Sequence, residues 1–361
     1  MFKVKIVFLL IIFISAVPVL WGQKSNSDWE NPEVLAVNKL LLNEHFIPFQ
    51  NKKKALSFET ERSNHYISLN GTWNFKMYNN PDNTSPDFFS IDYAASDWTE
   101  INVSSNWQTE GYVTPIYPHV SMPFKTNPPY VPNEGNEIDL NRQTFKIPEP
   151  WSEDKTILAF AVVQSAFYIW VNRKEVGYSQ GSMTTAEFDI TEYIKTGENQ
   201  LVVKVIRWSD GSYLENQDFW RLSGIYRDVY LVRKETTNMQ DFQVSTDFDE
   251  AYEYVVICVD IIFENTAHSY AGEVEFLILN AMNEVILEYE TTFNKSTLSQ
   301  EFPIRNPKKW STEDPNLYKL ILNLKANDGS TETISHKIGF RKVEIKNAQV
   351  LMNGQSVFFK G

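Results

Sequence analysis

The sequence has almost no cysteine: one residue, Cys258, in 361. A single thiol cannot form a disulfide within the chain or supply a cysteine-based metal site. Cys258 lies in the apolar run from Tyr254 to Ile262, which predicts that it is buried as a small hydrophobic residue. Neither kind of cross-link is therefore expected to hold the fold together.

Positive charge is also scarce. Lysine and arginine number 33 against 46 aspartates and glutamates, which gives a formal net charge of −13 at pH 7. An acidic chain without a basic stripe offers little to the phosphates of a nucleic acid or to an anionic membrane surface. Neither partner is expected, whereas a neutral substrate is compatible with this charge.

Helical periodicity is scarce as well, and short alternating apolar segments recur from Ser68 to Val232. With turn-forming residues between them, they predict strands near 69–75, 98–103, 158–163, 167–171, 175–178, 187–190, 201–207 and 226–232. Many short strands at nearly regular spacing are typical of a β-sandwich.

A second set of strands is predicted between residues 241 and 340, at 242–246, 255–263, 272–279, 285–289, 299–304, 318–325 and 331–338. About a hundred residues with some seven strands is typical of an immunoglobulin-like sandwich, although the Cys and Trp pattern of antibody domains is missing. The chain exceeds the roughly 250–300 residues that one core serves, so two domains are expected, with a polar boundary near 234–239.

The first residues have the three-part pattern of a secretory signal. Lys3 and Lys5 precede an apolar run from Ile6 to Val17, and the small residue Gly22 follows. The run is too short for a stable membrane span, so we predict a signal peptide over residues 1–22 and an exported product. Export of a cysteine-poor chain favours a bacterial periplasm.

Residues 23–66 are polar and irregular, and they are predicted to form an arm across the body of the protein. The stretch of greatest interest is 201–232, where two strands flank a long connection. That connection carries aromatic residues among carboxylates and amides, which would suit the apolar faces and the hydroxyl groups of a sugar. In the alternative interpretation, Phe219, Trp220 and Leu222 plug one end of the sandwich.

The stretch 201–232 contains RWSDGSYLENQDFWRLSGIYRDVYL, which resembles the matching segment of the LacZ-type β-galactosidases of glycoside hydrolase family 2. Further strings agree in order along the chain: DWENPEVLAVNKL, SLNGTWNF, SSNWQTEGYVTPIY, NPPYVP, SAFYIWVN, GYSQGS, EFDIT and WSTEDPNLY. The resemblance covers nearly everything after the first two dozen residues.

The resemblance implies an all-β chain with a jelly-roll sugar-binding domain over 67–235 and an immunoglobulin-like domain over 240–341. Residues 342–361 would then be the truncated start of a catalytic (β/α)8 barrel, which takes roughly 250 residues and is absent here. In the family the arm helps to join subunits, so the resemblance implies a homo-oligomer, a tetramer or a dimer, when the protein is full length.

Retaining glycoside hydrolysis needs two carboxyl groups about 5–5.5 Å apart across the scissile bond. In the family both glutamates and most ligands of a Mg²⁺ ion lie in the barrel, so no catalytic residue can be assigned in this chain. The resemblance gives Asp218 as a contact to galactose and a ligand of Na⁺. His119 replaces the asparagine that makes the second sugar contact, and an imidazole lacks the planar donor and acceptor pair of a carboxamide. Trp208, Asp210 and Trp220 are expected to hold the shape of the loop.

Three functions follow from these observations. The chain is the non-catalytic front part of a β-galactosidase, a stand-alone carbohydrate-binding or complementation module, or part of a family 2 enzyme for another sugar, such as a β-glucuronidase or β-mannosidase. Against a stand-alone module, the apolar segment Val357 to Phe359 is predicted to be a strand without a partner.

Overall fold

The structure is a computed structural model that describes residues 27–41, 46–90, 93, 96–118, 121–151, 154–267 and 269–358. The predicted signal peptide and His119 lie outside the described residues. In the described part, one four-residue α-helix, α1 (Lys52–Ala55), accompanies 23 strands, so the predicted all-β class is confirmed. No helix in these ranges is long and apolar enough to cross a membrane.

Thirteen strands form the first sandwich and its edges. In chain order, β1 to β13 are Ala36–Val37, Tyr66–Ser68, Gly71–Tyr78, Thr99–Val103, Ile138–Ile147, Lys155–Phe160, Val163–Gln164, Ala166–Val171, Lys174–Gln180, Ala186–Asp189, Gly197–Ile206, Gly224–Ile225 and Val229–Lys234. One sheet has the order β1-β9-β8-β11-β5-β3-β4 and the other β10-β6-β13-β2. Large apolar side chains from both sheets form one core, including Trp73, Phe75, Leu158, Phe160 and Ile169. Complete burial of each such side chain contributes about 1.5–3 kcal/mol.

Strand β5 was not predicted, although it lies in the middle of the larger sheet between β3 and β11. Its sequence interrupts the apolar alternation with Asp139, Asn141 and Arg142, all of which are buried. The Arg142 guanidinium donates to the carbonyl oxygens of Phe88 and Tyr93, at 3.1 and 3.2 Å. Because these polar groups find partners from distant segments, their burial cannot be read from local periodicity.

The second sandwich contains the seven strands β14 to β20, at Thr237–Phe248, Tyr254–Asn265, Gly272–Leu279, Val285–Phe293, Thr297–Arg305, Tyr318–Ala326 and Thr331–Ile338. They form two sheets, β14-β15-β18 and β17-β16-β19-β20, around a separate core. Only two residues lie between the end of β13 and the start of β14, so part of the predicted polar boundary is already strand.

The predicted burial of Cys258 is wrong. In β15, Val255, Ile257 and Val259 are buried, whereas Val256 is exposed and Cys258 is only partly buried. A strand in a two-layer sandwich turns alternate side chains outward. The continuous apolar run therefore hides an ordinary period of two, which places Cys258 on the outer face.

Residues of the predicted arm contact both sandwiches. The hydroxyl of Tyr168 donates to Asp28 at 2.8 Å, and β1 pairs with β9. Farther along, the backbone N–H of Phe49 donates to the carbonyl of Thr333 at 2.8 Å. At Gly177 a Cβ atom would overlap the carbonyl oxygen of Val37, so the close approach of the arm to β9 requires glycine there.

The last described strands, β21 to β23, are Val343–Lys346, Gln349–Met352 and Gln355–Ser356. Asn353 and Gly354 have φ of +50° and +78°, which confirms the predicted two-residue turn. The turn fixes the register, so that Gln355 pairs with Met352 directly after it. The strand predicted at 357–359 is therefore wrong for Val357 and Phe358, which follow the end of β23. Phe359 lies outside the described residues. No (β/α)8 barrel is present in the described residues, as predicted.

His65 gives the fold a measurable pH dependence. Its side chain is almost completely buried, and burial together with the nearby Arg233 lowers its pKa to about 4 from an ordinary 6.5. Between pH 6.5 and pH 4 the His65 side chain therefore binds a proton in the unfolded state but not in the folded state. The free energy of unfolding falls by up to about 3 kcal/mol as the pH is lowered through this range. Urea unfolding at pH 7 and pH 4.5 should show a smaller loss of stability in His65→Gln than in the parent. An equal loss in both proteins would contradict the assignment.

Candidate functional site

The candidate site is built on the loop that connects β11 to β12. It begins with a 3₁₀ turn, Asp210–Tyr213, in which Ser209 and Ser212 cap each other's backbone N–H groups. Trp208 is buried, and its indole N–H donates to the carbonyl of Gly135 at 3.1 Å. The loop is therefore ordered, and the structure places Trp208 and Asp210 inside, where they hold its shape.

The middle of the loop is fastened by Glu215. One carboxylate oxygen accepts the backbone N–H of Ser182 at 2.9 Å, and the other accepts its hydroxyl at 2.6 Å. Beyond this anchor, Asn216 and Asp218 have φ of +55° and +53°, a left-handed conformation that Asn and Asp tolerate better than most residues. These two residues flank Gln217, and the side chain of Asp218 is exposed to solvent.

Asp218 lies at the surface among three aromatic rings. The hydroxyl of Tyr117 donates to Oδ1 of Asp218 at 2.8 Å, and this hydrogen bond is the main cause that raises the pKa of Tyr117. The rings of Tyr117 and Trp220 are 5.3 Å apart between centroids. Tyr117, Phe219 and Trp220 are each about half exposed, at 50%, 53% and 49%.

These exposures decide between the two interpretations of the loop. Phe219 and Trp220 would be buried if they plugged the sandwich, yet half of each side chain faces solvent. Trp220 therefore belongs to the surface rather than to the loop interior, contrary to the sequence-based expectation. An oriented carboxylate beside exposed rings can accept a hydroxyl hydrogen bond while a ring packs against the C–H face of a sugar.

Two antiparallel segments, residues 105–117 and 218–225, carry this surface. Besides the bond between Tyr117 and Asp218, they are joined by the hydrogen bonds from Ser105 N–H to the Ile225 carbonyl (2.9 Å), from Trp107 N–H to the Ser223 carbonyl (2.9 Å), from Ser223 N–H to Oε1 of Gln108 (3.0 Å) and from Arg221 N–H to the Ile116 carbonyl (2.8 Å). We call this arrangement the support ladder. It places Tyr117 and Asp218 side by side, although 101 residues separate them in the chain.

A buried carboxylate lies at the inner end of the support ladder. Asp139 accepts the indole N–H of Trp107 at 2.6 Å, the amide of Asn141 at 2.7 Å and the backbone N–H of Val205 at 3.2 Å. Burial raises the pKa of Asp139 to about 7, and the three hydrogen bonds oppose the rise. Asp139 was not singled out from the sequence; the signal that could have found it is a lone acidic residue in the apolar context of Ile138 and Leu140.

Of the ligands expected for the Na⁺ site, the described residues include Asp218. Oδ1 of this carboxylate already accepts the Tyr117 hydroxyl. Within the described ranges no three His, Cys, Asp or Glu side chains come together in a way that could hold a metal ion. Na⁺ binding at Asp218, like the sugar contact of His119, therefore stays a prediction.

Comparison with known families gives two matches that follow the two sandwiches. The family model described as "Glycosyl hydrolases family 2, sugar binding domain" matches residues 66–235. The model described as "Glycosyl hydrolases family 2" matches residues 237–341. The loop with Asp218, the support ladder and Asp139 all lie within the first match.

Among curated proteins, a beta-galactosidase of Priestia megaterium is 39% identical over 347 residues, and one of Psychromonas ingrahamii is 36% identical over 345 residues. Each alignment covers 92% of this chain but only 34% and 33% of the relative. The chain therefore spans about a third of the length of these relatives.

Solved structures share the fold at lower identity. A glycosyl hydrolase family 2 member from Bacteroides cellulosilyticus matches with a TM-score of 0.67 at 21% identity, over 82% of this chain and 39% of that one. A beta-glucuronidase of Bacteroides uniformis matches with a TM-score of 0.65 at 20% identity, over 80% and 34%. At these identities the likeness concerns the fold alone.

Proposed function

The chain belongs to glycoside hydrolase family 2, and from that membership we propose that it is the non-catalytic front part of a retaining β-galactosidase. The substrate would be a β-galactoside with a terminal, non-reducing β-D-galactose. The observation that carries the proposal is the match at 39% identity to a relative named beta-galactosidase, which includes the loop with Asp218. The catalytic glutamates would lie in a part of the protein beyond this chain.

In this proposal Asp218 forms one edge of the sugar site. Its exposed carboxylate accepts a hydrogen bond from a galactose hydroxyl, and Tyr117 holds it in place through Oδ1. A charged acceptor makes a stronger hydrogen bond than a neutral one, so the Asp218 carboxylate would contribute substantially to the affinity for the sugar. Mg²⁺ would serve the catalytic part, and Na⁺ would need ligands in addition to Asp218.

Two further proposals concern the setting of the enzyme. The pattern of residues 1–22 supports export, with the periplasm as the destination. From the family membership we also propose a homo-oligomer in which the predicted arms help to join subunits.

A substrate panel tests the proposed specificity. The complete protein, meaning the full product of the natural coding sequence, would be assayed with the nitrophenyl β-glycosides of galactose, glucuronic acid and mannose. We expect kcat/KM for the galactoside to exceed the other two by at least about 100-fold, because a site built for one set of hydroxyls leaves buried polar groups unpaired with another sugar. A higher kcat/KM for the glucuronide or the mannoside would contradict the proposed specificity and would indicate a β-glucuronidase or a β-mannosidase of the same family.

A further inference from the structure

Asp139 is an unusual residue for the centre of a sheet. Its carboxylate is completely buried, and all three groups that donate to it are neutral. A buried carboxylate without a cation is costly, and an apolar side chain would fill the same space more favourably. Asp139 is therefore better explained by the positions in which it holds its hydrogen-bond partners than by a contribution to the stability of the fold.

The partner that matters is Trp107. Its ring is completely buried, and its indole N–H points at Oδ2 of Asp139 at 2.6 Å. The same edge of the ring lies so close to Gly224 that a Cβ atom there would be 2.9 Å from Cδ1 and 3.1 Å from Nε1 of the indole. Trp107 thus contacts both the central strand β5 and the strand β12 that follows the candidate loop.

Trp107 is also connected by hydrogen bonds to the exposed residues of the candidate site. The backbone N–H of Trp107 donates to Ser223, and the support ladder continues from there to the bond between Arg221 and Ile116. The next residue, Tyr117, donates to Asp218 and packs against Trp220. A shift of Trp107 would therefore move Tyr117 relative to Asp218 without a change in either residue.

We propose that Asp139 is a positioning residue for the sugar contact, which fixes the Trp107 indole and through the support ladder sets the placement of Tyr117 against Asp218. The inference rests on the proposed function, because Asp218 must contact the sugar for its placement to matter. Asp139 itself touches no substrate. Small misplacements of binding groups have large effects on catalysis, which makes the proposal measurable.

The test compares Asp139→Asn with Glu332→Gln in the complete protein. Glu332 is the matched control, since it is also a buried carboxylate that accepts a backbone N–H, from Met239 at 2.7 Å, but it lies in the second sandwich. We expect Asp139→Asn to raise KM for the galactoside about tenfold with a smaller change in kcat. Glu332→Gln should leave KM unchanged even where it lowers the melting temperature.

Hydrogen exchange followed by mass spectrometry gives a readout without sugar. Peptides that cover residues 105–117 and 218–225 should exchange at least about tenfold faster in Asp139→Asn, while peptides of the second sandwich keep the parent rate. If Asp139→Asn does not fold, Trp107→Phe removes the same hydrogen bond from the other side and should give the same pattern.

Asp218→Ala, measured in parallel, separates the positioning role from the sugar contact. A normal KM and normal exchange in a folded Asp139→Asn or Trp107→Phe protein, beside a raised KM in Asp218→Ala, would overturn the positioning role. Unchanged kinetics in Asp218→Ala would instead overturn the sugar contact on which the proposal rests.

Discussion

Alanine at position 218 is expected to lower kcat/KM of the complete protein for a β-galactoside by roughly 10- to 100-fold. The expected size follows from the loss of a hydrogen bond to a charged acceptor, which contributes about 1.5–3 kcal/mol, with one factor of ten for each ~1.4 kcal/mol. The loss should not come from unfolding, because Asp218 is exposed and its hydrogen bond to Tyr117 lies at the surface.

The chain offers a matched control for this substitution. Asp228 is also an exposed aspartate that accepts a side-chain hydrogen bond, from the amide of Asn70 at 2.8 Å, and it lies outside the candidate site. Asp228→Ala should retain the parent kcat/KM, and Tyr117→Phe should lower it by a smaller factor than Asp218→Ala. Equal kinetics for the Asp218 and Asp228 variants would remove Asp218 from the site.

Alanine at position 224 is expected to destabilise the first sandwich by about 2–6 kcal/mol, the sum of a strain cost and a crowding cost. Gly224 has φ of +115°, a backbone conformation that costs a residue with a Cβ atom roughly 1–3 kcal/mol. The new methyl group would also lie 2.9 Å from Trp107 and 3.0 Å from the carbonyl of Ser105, and such crowding costs a further ~1–3 kcal/mol. Urea unfolding at neutral pH measures the sum.

Gly111→Ala separates strain from crowding. Gly111 lies in the other segment of the support ladder with φ of +85°, but a Cβ atom added there would meet no heavy atom within 4 Å beyond its immediate chain neighbours. Its alanine variant should therefore lose only the strain component and remain clearly more stable than Gly224→Ala. Equal losses would show that contact with Trp107 contributes nothing, which would also weaken the case for a tightly held indole.

Local pattern was sufficient for most strands but not for those with polar exceptions. The apolar pattern of Gly272–Leu279 and Thr331–Ile338 predicts both strands with their observed bounds, because each contributes side chains to the core of the second sandwich. In Gly272–Leu279 the other face is buried as well, where Leu277 and Leu279 pack in a cluster with Phe49. Strand β5 escaped detection, since Asp139 and Arg142 are buried with partners far away in sequence. Cys258 was misplaced for the opposite reason: a run of apolar residues conceals which face is outward.

The candidate site was predictable in part. The string around Asp218 identifies the loop, and its aromatic content predicts order rather than disorder. The sequence cannot show that Tyr117 donates to Asp218, because that contact depends on the support ladder, which pairs segments about a hundred residues apart. The exposure of Trp220 likewise depends on where the loop lies on the folded surface.

The most direct test of the central claim is to measure hydrolysis of a nitrophenyl β-galactoside by the purified 361-residue chain and by the complete protein at equal concentration. Retaining hydrolysis needs a pair of carboxyl groups in a defined arrangement, which we assign to the part of the protein beyond this chain. We expect turnover by the complete protein and none above background by the chain alone. Turnover by the chain alone, retained through further purification, would contradict this assignment and place the catalytic pair within these residues.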